Sequence, residues 1–336
     1  MPVSSRKEPD SGASPDVDRT QVMSGNVFKD ALDSLRWTYR KHRDKPRERQ
    51  IAKAEPPALN PEFRFQGREV TVSLTSYGTR VNTASIAIKS LMMQTVAPTR
   101  IVLYLDDSLV RADLPADLLE LESKGLVISA GHEDFLSHKK YRFAMEDYPD
   151  SLLILADDDL VYEPDTVESL LKAHAEYPSA VIGRRAHRVK FDSSGQLLPY
   201  TEWDLQWSEL CPTPRMSPMV TTGAGSLYPP ELFPALLDDF PLSQTLAPTA
   251  DDIWLKVQEV RHGIPSVVLS GVRAMPAEIL GTNRVSLYHV NGPRGNDEAM
   301  GRLLDHYHLD STCFDDATVD ADPHEGSKEP PRGTEL

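Results

Sequence analysis

Tyr148–Tyr162 reads YPDSLLILADDDLVY, and the fold follows from its middle. Leu152–Ala156 (LLILA) is an uninterrupted apolar run of strand length. Such a run suits a strand buried on both faces, as in a parallel sheet. Asp157, Asp158 and Asp159 come directly after it. The strand therefore delivers them to the carboxyl-terminal rim, the edge at which open α/β sheets bind ligands. Side chains two apart point the same way in an extended segment, so Asp157 and Asp159 could converge on one ligand. Adjacent carboxylates repel unless a cation compensates them. A hard divalent ion, Mg²⁺ or Mn²⁺, shared with phosphate oxygens is one solution. Acids favouring a solvated helix N-terminus are the other reading.

Outward from this strand the chain alternates strand and helix, as a parallel α/β sheet demands. Upstream, Val70–Leu74 and Ile101–Leu105 read as buried strands. A helix capped by Asn82 or Thr83, with Ile86, Ile88, Leu91 and Met92 as its apolar face, joins them. A helix around Ala116–Ser123 ends at Gly125 and strand Leu126–Ser129 follows, after which a helix from His138 to Asp147 leads into the quoted strand. Downstream, Pro164 suits the first turn of a helix running to Glu176, and Ala180–Gly183 forms the next strand.

Beyond that the regularity weakens. Arg184–Pro218 reads as loops with short strands, and a glycine-rich turn, Thr222–Ser226, precedes a helix from Pro229 or Pro230. A helix spans Asp251 to Gly263, a strand lies near Val267, and a last helix starts around Asn296. The expected fold class is α/β: a Rossmann-like, mostly parallel sheet flanked by helices.

The expected organisation is a disordered segment 1–26, a basic amphipathic helix 27–50, a proline-containing linker 51–69, an α/β domain 70–310 and an acidic disordered tail 311–336. The formal charge of −15 argues against nucleic acid as a partner, because phosphate backbones require a basic surface. No apolar run reaches the roughly 18 residues of a membrane span. Met1–Asp18 lacks the apolar core of a signal peptide. Cys211 and Cys313 form no metal-ligand pattern and read as thiols of a reducing compartment, so a cytoplasmic location is expected. The stretch 27–49 carries Phe28, Leu32, Leu35 and Tyr39 at helical spacing beside Arg36, Arg40, Lys41, Arg43, Lys45, Arg47 and Arg49. It reads either as a peripheral contact with an anionic membrane at its inner face or as a solvated helix packed on the domain.

The run YPDSLLILADDDLVY resembles the DXD region of GT-A-fold glycosyltransferases. With SLTSYGTR (73–80), APTADDIWL (247–255) and NDEAMGRLLDHY (296–307), in this order over roughly Val70–His308, the chain resembles bacterial family 2-like glycosyltransferases of polysaccharide and surface-glycan biosynthesis. The resemblance implies a nucleotide-sugar donor, a glycan or other hydroxyl acceptor, and Mn²⁺ or Mg²⁺. It implies that the loop Thr75–Arg80 holds the nucleotide, with Tyr77 stacking on the base and Arg80 pairing with phosphate. A packed tyrosine in a helix-leading turn is the plainer alternative. It further implies that Asp106 hydrogen-bonds the base, against a simple turn. Lys140, with Lys139 and Arg142, either meets the diphosphate or is a solvated helix charge.

Within the triplet, Asp157 and Asp158 are expected at the nucleotide-sugar, and Asp157 and Asp159 at the metal. His289, in SLYHVN, is either a third ligand or structural. Asp251 and Asp252 open a helix, where one aspartate is explained as a cap. The resemblance implies that this pair is catalytic, with Asp252 as the base that takes the acceptor's proton and Asp251 capping or contacting acceptor. Such a base goes with in-line displacement and inversion. RRAHR (184–188) faces an anion or lies on a surface strand, and Trp203 and Trp207 stack on sugar or fill core.

Two other classes stay open. Acid clusters also serve metal-dependent nucleotidyl or phosphoryl transfer, although no GxxxxGK[ST] loop occurs. A non-catalytic glycan-binding protein of the same fold is the third reading.

Overall fold

The computed structural model describes residues 44–206, 213–272, 275–280, 282 and 287–319, without the side chains of 287–293 and 318. The chain divides into two units, Met1–Arg43 and Asp44–Leu336, and every described residue belongs to the second. The expected segment 1–26, most of the basic stretch, Trp207, Cys211 and the tail from 320 lie outside the described residues.

The strands are β1 (Val70–Thr75), β2 (Arg100–Asp106), β3 (Leu126–His132), β4 (Leu152–Leu155), β5 (Leu160–Val161), β6 (Val181–Gly183), β7 (Ala186–Arg188), β8 (Pro218–Val220), β9 (Ser226–Tyr228), β10 (Ser266–Val268) and β11 (Ala277–Glu278). The helices are α1 (44–53), α2 (Val81–Met92), α3 (Ala116–Leu119), α4 (Lys139–Asp147), α5 (Thr166–Glu176), α6 (Phe240–Leu246), α7 (Asp251–Arg261) and α8 (Leu287–Tyr307).

The main sheet has the order β10-β6-β9-β4-β1-β2-β3. It is parallel except for β9, which runs antiparallel to both β4 and β6. Both faces are covered, which is why LLIL is apolar throughout. Alternate residues serve opposite faces: Val102, Tyr104, Leu153 and Leu155 pack with Tyr141 of α4 and Trp254 of α7. Ile101, Leu103, Leu152 and Ile154 pack with Ile88 of α2 and Leu170 of α5. Gly125 takes φ +101°, the left-handed conformation that glycine adopts without a Cβ penalty, and reverses the chain from the turn after α3 into β3.

Strands β2 and β4 lie on opposite sides of β1, so the strand order reverses at the β1/β4 boundary. The crevice outside the carboxyl ends of strands at such a point is the ligand position of open α/β sheets. Two short antiparallel pairs, β5–β11 and β7–β8, build the walls around it.

Several segments differ from the sequence reading, and α6, β5 and β11 were not foreseen by it. β9 was read as part of a turn, because three residues between Gly225 and Pro229 leave no visible period; a 3₁₀ turn, Pro230–Leu232, takes the place of the helix expected there. α8 begins at Leu287, nine residues before Asn296; Gly292 and Pro293 in its first turns masked the start. The domain also continues past residue 310. Phe314 is buried against Phe191, and the Asp316 carboxylate accepts the Met216 and Ser217 N–H groups at 3.0 and 2.9 Å. At the other end, Ile51 of α1 packs with Ala87, Val161, Ala277 and Ile279, and Leu59 joins the core against Gly125. No helix among the described residues is long and apolar enough to cross a membrane.

Candidate functional site

A cavity of about 280 Å³ opens at the β1/β4 boundary. It gathers Thr75, Tyr77 and Arg80 from the loop after β1, the triplet from the loop after β4, and Asp251 and Asp252 from the start of α7.

The three aspartates of the triplet do not act as one group. Asp158 turns into the protein, where Arg80 and Ser76 hold it. Arg80 also reaches Asp159 Oδ2 at 2.9 Å. Asp157 faces Lys140, whose Nζ donates to Oδ1 at 2.7 Å. Its other carboxylate oxygen rests on Gly223, where a Cβ would lie 2.0 Å from Oδ2. Only glycine permits that approach. Burial pushes Asp159 up to about 7; the Arg80 charge opposes this, and Asp157, Asp158 and Glu278 reinforce it.

The loop is anchored from behind. The Asp157 N–H donates to Tyr162 Oη at 2.6 Å, and the phenol donates to the Gly223 carbonyl at 2.7 Å. The Ile279 N–H donates to the Asp159 carbonyl at 2.8 Å, tying the loop to β11. Arg47 of α1 donates to the Tyr162 carbonyl at 2.6 Å and pairs with Glu163.

On the far wall, Thr222 holds the aspartate pair. Its N–H donates to Asp252 Oδ1 at 2.9 Å, and its hydroxyl lies 2.7 Å from the same oxygen and 3.1 Å from Asp251 Oδ2. Lys140 Nζ reaches Asp251 Oδ2 at 3.1 Å as well as Asp157, so one buried ammonium joins the two acidic groups. Burial works against its charge, but Asp157, Asp251 and Asp252 hold Lys140 above the ordinary lysine range. Asp251 sits below the usual carboxylate range: burial opposes ionisation, and Lys140 and His138 outweigh it. Asp252 goes the other way, pushed up to about 6 by burial and then by the Asp251 charge. The pair is thus split, with Asp251 favouring its ionised form and Asp252 favouring its protonated form more than an ordinary carboxyl.

The remaining expected residues divide. The Thr75 hydroxyl donates to the Tyr104 carbonyl at 2.9 Å, and Tyr77 lies under the Arg80 guanidinium, 5.3 Å from ring centroid to Cζ. Asp106 is not on the cavity wall; it accepts from Lys139 Nζ at 2.8 Å and from the Ser108 N–H at 3.0 Å. The His289 side chain is outside the described residues. Arg184 turns under α5 onto Ser169 (2.6 Å) and Asp165 (3.2 Å), whereas Arg185 and His187 line the cavity. Burial, then the Arg185 charge, lowers His187 to about 3, so it is neutral. Trp203 is core, its indole donating to the Leu198 carbonyl at 2.9 Å.

Sequence reasoning missed Tyr162; it did not single out Ser76, Thr222 or Gly223, although Ser76 lies in the loop expected to hold the nucleotide and TTGAGSLYPP (221–230) resembles an acceptor-side glycine loop. Thr222 and Gly223 stood in a turn noted for its glycines, which was the available signal. Tyr162 closes the quoted run, yet nothing local shows that its hydroxyl returns to Asp157.

Among the described residues, no group of three or more His, Cys, Asp or Glu side chains is placed to hold a metal ion. Asp157 and Asp159 are hard oxygen donors on one loop. That donor type suits an ion of the Mg²⁺ or Mn²⁺ kind, which takes one or two carboxylates and fills its other positions with water and substrate phosphate, although Asp157 is paired with Lys140 and Asp159 with Arg80.

No family model matches this sequence, and no curated protein matches it. Solved structures similar to the fold include the mannosyltransferase PcManGT from Pyrobaculum calidifontis in complex with GDP-Man and Mn²⁺. It is 13% identical with a TM-score of 0.44, over 87% of this chain and 86% of that one. S. aureus TarS 1–349 in complex with UDP is 16% identical with a TM-score of 0.45, over 72% of each chain. CMP:2-keto-3-deoxy-manno-octonic acid synthetase complexed with CTP is 12% identical with a TM-score of 0.38, over 72% of this chain and 100% of that one. At these identities and TM-scores the likeness assigns no substrate or reaction to this chain.

Proposed function

We propose that this chain is a metal-dependent, GT-A, family 2-like glycosyltransferase that moves a sugar from a nucleoside-diphosphate donor to an acceptor hydroxyl with inversion. The observation that carries the reading is Lys140, which joins Asp157 at 2.7 Å and Asp251 at 3.1 Å within one cavity. A single transfer needs a place for leaving diphosphate beside a base for the incoming hydroxyl; a cation held on the Asp157 side would supply the first and Asp252, next to Asp251, the second.

In this reading the nucleotide lies along Thr75–Tyr77 at the switch point, with its diphosphate toward Asp157 and Asp159. When bound there, Mn²⁺ or Mg²⁺ would neutralise the charge on the departing diphosphate. Arg80 holds Asp158 and Asp159 in place and offsets their repulsion. Asp252 takes the acceptor's proton as the acceptor oxygen bonds to the anomeric carbon and the bond to diphosphate breaks on the opposite face. Asp251, kept ionised by Lys140, raises the basicity of Asp252 toward the working pH. A place in polysaccharide or surface-glycan synthesis belongs to the same proposal. So does a peripheral membrane contact through 27–49, although Arg47 at its described end is engaged with Glu163.

The test is a panel of UDP-, GDP- and CMP-sugars with Mn²⁺, read by donor hydrolysis and by melting temperature. The expected result is slow nucleotide release and a metal-dependent rise in melting temperature with UDP or GDP. Stabilisation by neither would sink the donor site, and stabilisation by ATP alone would point to nucleotidyl transfer.

A further inference from the structure

We propose that Tyr162 is a positioning residue that locks the two halves of the site in register. Its functional meaning rests on the glycosyltransferase reading. The side chain is buried at 1% exposure, and its hydroxyl sits between two loops from distant parts of the chain. It accepts the Asp157 N–H at 2.6 Å and donates to the Gly223 carbonyl at 2.7 Å. A phenol has one proton to give; the Gly223 carbonyl at 2.7 Å takes it ahead of the Asp157 carbonyl at 3.2 Å, while the oxygen lone pair takes the amide.

The consequence reaches both ends of the cavity. Gly223 follows Thr222, which holds Asp252 at 2.9 and 2.7 Å. The absent Cβ of Gly223 leaves room for the Asp157 carboxylate. Fixing Gly223 to the Asp157 backbone therefore sets the separation between the donor-side carboxylate and the acceptor-side base. Lys140 bridges the same gap by charge, and charge alone leaves its length adjustable. The phenol fixes that length by two short hydrogen bonds with defined directions. Arg47 and the Ser90 hydroxyl hold Tyr162 through its own backbone, at 2.6 Å to the carbonyl and 3.0 Å to the N–H.

Tyr162→Phe keeps the ring and removes the lock. Amide hydrogen exchange in the free protein is the first readout. The Asp157 amide should be protected in the wild type and exchange at least roughly tenfold faster in the variant, because its buried acceptor is gone. The second readout is Mn²⁺ binding with UDP or GDP by electron paramagnetic resonance. Affinity should weaken roughly tenfold, as for other partners that orient a metal's ligands. Tyr104→Phe is the control. It loses a buried phenol bond to Asp147 (2.8 Å) away from the cavity, and should leave Mn²⁺ affinity unchanged. Unaltered Asp157 exchange in Tyr162→Phe, or equal loss of Mn²⁺ in both variants, would overturn the proposal. If Tyr162→Phe does not fold, the wild type decides: an Asp157 amide exchanging like a solvent-exposed loop amide also overturns it. A wild type that binds no Mn²⁺ with any nucleotide sinks the glycosyltransferase reading instead, while exchange still decides whether the lock exists.

Discussion

The triplet at the end of β4 and the pair at the start of α7 use the same side chain for opposite purposes. In the triplet, Asp158 is turned inward onto Arg80 and Ser76, Asp159 shares Arg80, and Asp157 is pinned between Lys140 and Gly223. These groups are fixed in direction, which suits holding a cation. In the pair, burial and then the ionised Asp251 make Asp252 harder to ionise, and it moves up to about 6. That suits exchanging a proton. Neighbours, not residue type, make the distinction.

The largest effect should come from the proton-exchanging end. If Asp252 is the base, as proposed, Asp252→Asn should lower transfer roughly 10²- to 10⁴-fold, while nucleotide-dependent stabilisation in a melting assay persists. Transfer at the wild-type rate would break the contrast and put the base elsewhere. Next comes the cation-holding end. In Gly223→Ala the new methyl cannot coexist with the Asp157 carboxylate as placed. Apparent Mn²⁺ affinity should fall about 10- to 100-fold, measured by titration with UDP or GDP present.

The pH profile sharpens the contrast further. A base acts only when deprotonated, so transfer should decline as pH falls through about 6, where Asp252 takes up its proton. Asp251→Asn removes the negative charge that raises Asp252, so the acid limb should move to lower pH. A limb that stays in place would show that Asp251 does not set its neighbour's basicity. The smallest effect belongs to the outer support. Arg47→Met removes a partly buried pair with Glu163 and a bond to the Tyr162 carbonyl. It should cost about 1 kcal/mol, or about 2–4 °C in melting temperature.

The parallel half of the fold was legible because its signals are local. LLILA and IVLYL are short apolar runs bounded by polar residues, a length and framing that favour buried strands over helix segments. The site was legible in part for the same reason: strand ends carry the triplet, and a helix start carries Asp251 and Asp252. The rest depends on contacts between distant segments. Lys140 and Asp251 are far apart in sequence, and nothing near either announces the other. Tyr162 looks like the last residue of an apolar run until β11, α1 and the glycine turn surround it. Asp106 stands at a strand end as expected, but its direction was set by Lys139, a partner from the next crossover.

The reversed strand β9 has a consequence for how the chain is made. It fills the space between β4 and β6, so the sheet cannot close until residues 226–228 exist. In a chain growing from its N-terminus, β1 can pair one side of β4 early, while the other side waits for more than sixty residues. A fragment ending before Ser226 would present LLIL as an open apolar edge, the kind of surface that templates aggregation. Truncations in that interval are therefore expected to be insoluble even though they contain β1, β2, β3 and β4.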